Sequence, residues 1–281
     1  MKKAFAKRAV DSTFVSLQAC VIDLSHAKPH IHIPYCDNLP PAVFVRGITG
    51  GTLQQVITRL NVLHMLSAQG VKIYNDTKAI ERTVDKAMTS FLLRNQGVPT
   101  PATWVCESRA QAEIIRQSAQ ENNHKLVIKP LFGSQGVGVR KLASHDVLPI
   151  PMQQHVDGVY YFQQLIEPPM LAGSVDSHDY RVFVIGAKVV AAMRRIGRDW
   201  VNNLAAGGRC EAVIANKAIT QLALDAAKAI NIDYCGVDII QAETGEYYVL
   251  EVNSIPAWKG LQSVVEVDIA QLLVDDFLSK I

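Results

Sequence analysis

The segment VLEVNSIPAWKG carries a carboxylate and an amide two residues apart, Glu251 and Asn253, in a run that reads as a β-strand. Side chains alternate along a strand, so these two leave the same face and point into one space. The preceding strand, CGVDII, joins this one through the turn ETGE. Centring that turn between Thr244 and Gly245 puts Asp238 directly across from Glu251. Cross-strand Cβ atoms lie about 4.5–5.5 Å apart, and like charges so placed repel unless something compensates. A divalent cation would compensate. Oxygen donors without His or Cys suit a hard ion such as Mg²⁺, which takes few protein ligands and completes its shell with substrate phosphates. The alternative is a pair of acids on a solvated sheet face, but the apolar residues flanking both acids argue for central strands. If only the cation relieves the repulsion, at least one carboxylate should have a raised pKa without it, and Asp238→Asn should leave the ligand-free protein as stable or more so.

A second segment, KPLFGSQGVGV, places Lys129 at a strand end and then Gly133, Ser134, Gln135, Gly136 and Gly138. Glycines let backbone N–H groups approach anionic oxygens closely. The loop joins two strands, unlike Rossmann or Walker loops, which precede a helix. Taken alone it reads as an ordinary hairpin turn. With Lys129 before it and the acid pair downstream, it reads as a phosphate-covering loop, mobile without nucleotide, with the Lys129 amine solvated until phosphate arrives.

The elements that must position these groups are mixed α/β. AVFVRG is a short strand, followed by a helix through LQQVITRLNVLHMLSAQG, whose apolar residues recur at helical spacing and stop at Gly70. VKIYN is the next strand, and a unit boundary near residue 80 follows. One or two helices then close on Gly97, and a helix through SRAQAEIIRQSAQEN leads to the strand KLVIKP and the glycine loop. YYFQQLI, DYRVFVIG and KVVAAMRRI are strand-like. NKAITQLALDAAKAIN and DIAQLLVDDFL are amphipathic helices around the final hairpin.

Composition narrows the function classes. A chain of 281 residues with 49% apolar and 19% charged residues is globular, with one large or two smaller domains. A net charge of +2 gives no electrostatic footprint for nucleic acid. No apolar run is long enough to span a bilayer and the start lacks a signal-peptide core, so a cytoplasmic location is expected. The five cysteines are scattered without a CxxC pair, which points to reduced thiols. HAKPHIHIPYC offers His26, His30, His32 and Cys36, but the spacing matches no common metal site, and Pro29 and Pro34 suggest an irregular loop.

From about residue 80 onward the chain resembles the RimK-like branch of the ATP-grasp carboxylate–amine ligases. DKAMTSFLLRNQGVPTP, VIKPLFGSQGVGV, QQLIE, DYRVFVIGAKVVAAMRR, WVNNLAAGG, GVDII and EVNSIPAWKGLQ carry the likeness, in the family's order. The resemblance implies an ATP-grasp fold of α/β and α+β character, in which two α+β subdomains (81–166 and 167–281) clamp ATP. A small α/β domain (1–80) would precede them, its first forty residues irregular. It also implies that ATP phosphorylates a carboxylate and an amine then attacks the acyl phosphate. Lys86 and Lys129 would neutralise ATP phosphates beneath the loop Gly133 to Gly138, including Ser134, Gln135 and Gly136. Gln164 and Leu165 would meet the adenine edge, Asp179 the ribose, and Asn202 and Asn203 the phosphates. Arg181, Arg195 and Asn203 would face transferring charge, and Asp238, Glu251 and Asn253 would hold Mg²⁺, or Mn²⁺ in its place. Two departures stand out: Gln163 and Gln164 where relatives often carry Glu in the connector, and Val201 where a basic residue is common.

The leading expectation is therefore a ligase that adds an amino acid such as glutamate to a small cofactor precursor, a peptide or a protein terminus, with room for a homo-oligomer. The substrates would be small-molecule or peptide carboxylates and amines, with neither nucleic acid nor membrane as partner. A nucleotide-binding regulator or scaffold that has lost turnover is the alternative; the complete metal-ligand set opposes it.

Overall fold

The computed structural model describes residues 1–133, 136–143, 146–149, 157–169, 177–197 and 208–281. At its centre lies a five-stranded antiparallel sheet of order β11-β10-β9-β12-β13: β9 (Ser177–Ile185), β10 (Lys188–Gly197), β11 (Arg209–Ala212), β12 (Tyr234–Gln241) and β13 (Tyr247–Asn253). Alternation divides its two faces. Val182, Val184, Cys235, Val237 and Ile239 pack against α6 (Lys217–Ile230), which contributes Ala223, Ala226 and Ile230. The other face carries Phe183, Met193 and Tyr234, covered by α8 (Ile269–Leu278), and beside them a group of charged residues.

β13 keeps this division only through an irregularity. Near the turn, Gln241 pairs with Tyr247 and Ile239 with Val249, whereas Asp238 pairs with Glu251, so Leu250 is an extra residue on one strand. The bulge lets both Val249 and Val252 join the α6 side while Glu251 and Asn253 face the other way. The turn is thus centred on Thr244, with Ala242 and Glu246 closing it, half a residue from the position expected from the sequence. The expected partnership of Asp238 and Glu251 nevertheless holds, because the bulge offsets the shift.

A four-stranded sheet of order β5-β8-β6-β7 faces this body: β5 (Thr103–Cys106), β6 (Leu126–Lys129), β7 (Arg140–Leu142) and β8 (Tyr160–Gln164). One side packs on α5 (Arg109–Glu121) through Tyr160, Phe162 and Ile128. α3 (Thr77–Val84) and α4 (Lys86–Asn95) bridge toward the larger sheet, and residue 80 falls inside α3. Asp85 caps α4 by accepting from the N–H groups of Ala87 and Met88, which fixes Lys86 at the first helical position.

The N-terminal part contains α1 (Lys2–Ala6), the hairpin of β1 (Val21–Asp23) and β2 (His30–His32), and the parallel pair β3 (Ala42–Phe44) and β4 (Lys72–Tyr74), connected by α2 (Leu53–Ala68). α2 begins with a capping box between Thr52 and Gln55. The first forty residues are therefore more ordered than their composition suggests. His30 and His32 lie on a strand rather than in an irregular loop, and no group of three His, Cys, Asp or Glu among the described residues could hold a metal ion. No helix among them is long and apolar enough to cross a membrane.

Candidate active site

The two sheets and α4 enclose a small cleft lined by Lys86, Ser90, Gly133, Tyr161, Glu251 and Asn253, among others. Lys86 Nζ donates to the carbonyls of Leu131 (3.2 Å) and Gly133 (2.9 Å), tying α4 to the start of the glycine loop. Burial lowers the pKa of Lys86, against the opposing pull of Glu251. Gly136 and Gly138 have φ of 70° and 78°, a left-handed backbone that favours glycine. Ser134 and Gln135 lie outside the described residues.

Lys129 stands at the end of β6 beside the cleft, near Glu251 and Lys86, and donates to Gln163 Oε1 at 2.5 Å. The side chain is half-buried, more enclosed than the solvated amine expected from the sequence. Burial pushes its pKa down to about 8, Lys86 adds to the shift, and Glu251 and Asp238 oppose it. Gln163 and Tyr161 share a face of β8, and Tyr161 hydrogen-bonds Ser90 at 2.8 Å. The roles of Tyr161 and Ser90 were not foreseen from the sequence. The signal was available: Tyr161, Gln163 and Lys129 alternate onto one side, opposite the α5-facing Tyr160 and Phe162.

On the larger sheet, one row runs Met193, Arg181, Asp238, Glu251, and Asp179 and Arg195 are cross-strand partners beside it. Arg181 donates Nη2 to Asp238 Oδ2 at 2.7 Å and Nε to Oδ1. Arg195 reaches Asp238 Oδ2 at 3.0 Å and Asp179 Oδ1 at 2.6 Å. These four charges are almost wholly buried. Burial alone would raise the Asp238 pKa, but Arg181 and Arg195 outweigh it and hold the carboxylate well below its usual range. The raised pKa expected of the Asp238 and Glu251 pair is therefore absent at Asp238, because arginines rather than a cation supply the compensation. It is Asp179 that rises, to about 6, driven by burial against the pull of Arg195.

Gly236 makes room for this arrangement. A Cβ there would lie 3.0 Å from Arg181 Cδ and 2.9 Å from Pro256 Cβ.

The donor set fits a hard cation. Glu251 and Asn253 are half-buried on the cleft side, and the Asn253 amide donates to Glu251 Oε1 at 3.0 Å. An ionised carboxylate has about four lone-pair sites, and the two arginines take three of those on Asp238, leaving one on Oδ1. Two carboxylates and an amide oxygen remain for an ion that keeps water or phosphate in its other positions.

The other expected contacts are placed less openly. Asp179 is engaged by Arg195 rather than directed at a ribose. The N–H groups of Gln164 and Leu165 donate to Ala102 O (2.8 Å) and Lys125 O (2.7 Å), so neither donor is free for an adenine edge. Asn202, Asn203 and Val201 lie outside the described residues.

Residues 83–277 match the model of the RimK-like ATP-grasp domain. The chain belongs to that family. This RimK-like protein is 33% identical over 240 residues to tetrahydromethanopterin:alpha-L-glutamate ligase of Methanococcus maripaludis, an alignment covering 84% of this chain and 78% of that protein. It is 31% identical over 290 residues to a probable alpha-L-glutamate ligase of Haemophilus influenzae, covering 98% and 92%. The fold is shared with the ATP-grasp ligase PsnB complexed with minimal precursor, Mg and ADP, at a TM-score of 0.72 and 22% identity over 99% of this chain and 92% of that one. The RimK-like chain is an ATP-dependent ligase with an ATP-grasp fold.

Proposed function

We propose that this ligase joins an amino acid, with glutamate the first candidate, to a small-molecule or peptide carboxylate through an acyl phosphate. The observation that carries the reading is that half-buried Lys86 lines one cleft with the oxygen donors Glu251 and Asn253, with half-buried Lys129 and the cross-strand partner Asp238 close beside them. Lysines that lose hydration are poised to exchange it for phosphate oxygens, and the negative charge of ATP would raise their pKa again. Mg²⁺ held by Asp238, Glu251 and Asn253 would neutralise phosphate charge and orient the triphosphate. Arg181 and Arg195 fix the Asp238 carboxylate and place positive charge behind it. In the division proposed here, residues 1–80 precede an ATP-grasp body of 81–281.

The reaction balances without an enzyme nucleophile. A substrate carboxylate oxygen attacks the γ-phosphorus and ADP leaves; the amine then attacks the acyl carbon, phosphate leaves, and the nitrogen gives up a proton. Positioning and electrostatics supply the catalysis. Glutamate is supported by the names of the two relatives, and a peptide acceptor by the precursor peptide PsnA2 in another PsnB complex. A regulator without turnover is not favoured, since both lysines and the three oxygen donors are retained together. ADP release from ATP, Mg²⁺ and L-glutamate with candidate carboxylates tests the proposal, with mass analysis for the gain of a glutamyl residue. Release with other amino acids but never with glutamate would replace the substrate; none with any pair would remove the activity.

A further inference from the structure

Arg46 follows β3, at the end of a parallel pair where open α/β units present their ligand-binding groups. Its guanidinium carbon lies 3.9 Å from the centre of the Trp258 ring, and its charge acts on the nearby buried Tyr234 hydroxyl, which donates to Val45 O at 3.1 Å. Stacking on the indole holds the guanidinium in orientation. Yet its Nη1 is buried without a hydrogen-bond partner in the structure. A buried cationic donor left without an acceptor calls for an explanation.

Its place in the sheet supplies one. Trp258 meets Phe183 edge to face at 6.2 Å, and Phe183 belongs to the row Phe183, Gly236, Asn253. The next row is Arg181, Asp238, Glu251, about 7 Å away at two residues along each strand. Through Trp258, Arg46 is joined to the row that ends at Asn253, while Tyr234, opposite Ile185, lies one row further from Asp238. A stacked planar fork suits a planar, bidentate anion better than a phosphate already met by two ammonium groups. It cannot usefully hold the carboxylate that is phosphorylated, because that group loses its paired charged oxygens as it reacts, and such binding would favour the ground state. The amine-bearing substrate keeps its carboxylate throughout.

We propose that Arg46, oriented by Trp258, binds the α-carboxylate of the amino acid that supplies the amine, and so selects α-amino acids over simple amines. This rests on the ligase reading above. The test is titration of L-glutamate and of its α-amide into protein carrying a non-hydrolysable ATP analogue and Mg²⁺. The wild type should bind glutamate at least tenfold tighter than the α-amide. Arg46→Gln should lose most of that preference, Arg46→Lys should retain part of it, and both should bind the ATP analogue as the wild type does. The inference is overturned if the wild type does not bind or does not distinguish the two, if Arg46→Gln keeps the preference, or if both variants lose the nucleotide as well. ADP release, measured separately, tests the ligase reading, so the two can fail independently.

Discussion

Arg181 and Asp238, cross-strand partners on β9 and β12, form a two-point ion pair inside the sheet, with Nη2 to Oδ2 at 2.7 Å. The pair gives the acid of the proposed cation site a permanent counter-charge. Asp238→Asn should consequently destabilise the ligand-free protein, by about 3–5 kcal/mol, the cost typical of breaking a buried pair and leaving the cations uncompensated. That is the reverse of what two facing acids alone would predict. Chemical denaturation of the variant without nucleotide decides between them; stability equal to or above the parent would mean the arginines do not hold this carboxylate. Turnover should be lost in either case.

Gly236→Ala should act on the same pair from behind. The new methyl would press on Arg181 Cδ and on Pro256 Cβ at about 3 Å, and neither is a freely moving chain end. Overpacking of this kind costs about 1–3 kcal/mol. Displacing Arg181 should also lower the rate of ADP formation. Full activity and an unchanged melting temperature would show that the row has slack.

Asn75 is fully buried and joins β4 to the larger sheet, donating to Tyr234 O (2.8 Å) and Ser254 O (2.6 Å) and accepting from Tyr234 N (2.9 Å). Ser254 directly follows Asn253, a proposed cation ligand. Asn75→Ala should therefore weaken stability, at about 1–3 kcal/mol for each buried group left unpaired, and raise the Mg²⁺ concentration needed for half-maximal activity. Loss of stability with an unchanged Mg²⁺ dependence would confine Asn75 to a structural role.

How much of this was legible follows from how far apart the interacting residues are. Strand alternation is local, so the shared face of Glu251 and Asn253 could be read directly. The pairing of Asp238 with Glu251 needed a turn centre, and the bulge at Leu250, which has no sequence mark, cancelled the error in it. The Arg181 and Arg195 contacts to Asp238 were not legible. They require β9 to lie beside β12, a neighbour relation between segments separated by β10, β11 and α6. Asn75 and Ser90 were missed for the same reason: each meets its partner across elements whose packing the local pattern does not specify, whereas the face of Tyr161 was readable from alternation along β8.

Lys129 provides the pH-dependent prediction. Its pKa is about 8 in the folded protein, lowered chiefly by burial from the 10.5 of an exposed lysine. Between these values the unfolded chain binds more protons than the native one, so the Lys129 contribution makes stability rise with pH across that window. Below pH 8 both states are protonated and the folded protein carries the full cost of the shift, roughly 3 kcal/mol. Lys129→Met removes the charge while keeping most of the volume. Without nucleotide the variant should be more stable than the parent at pH 7, less the loss of the Gln163 contact, and the advantage should shrink toward pH 10. With ATP and Mg²⁺ the order should reverse, because the parent's ammonium gains phosphate partners that the variant cannot supply. Turnover should fall by about 10²-fold or more, the scale typical of losing one well-placed electrostatic contact. Urea denaturation at several pH values, with and without nucleotide, reads all of these. A stability difference that is flat in pH would show that Lys129 keeps its hydration, and an ATP-induced gain equal in both proteins would place its amine away from the phosphates.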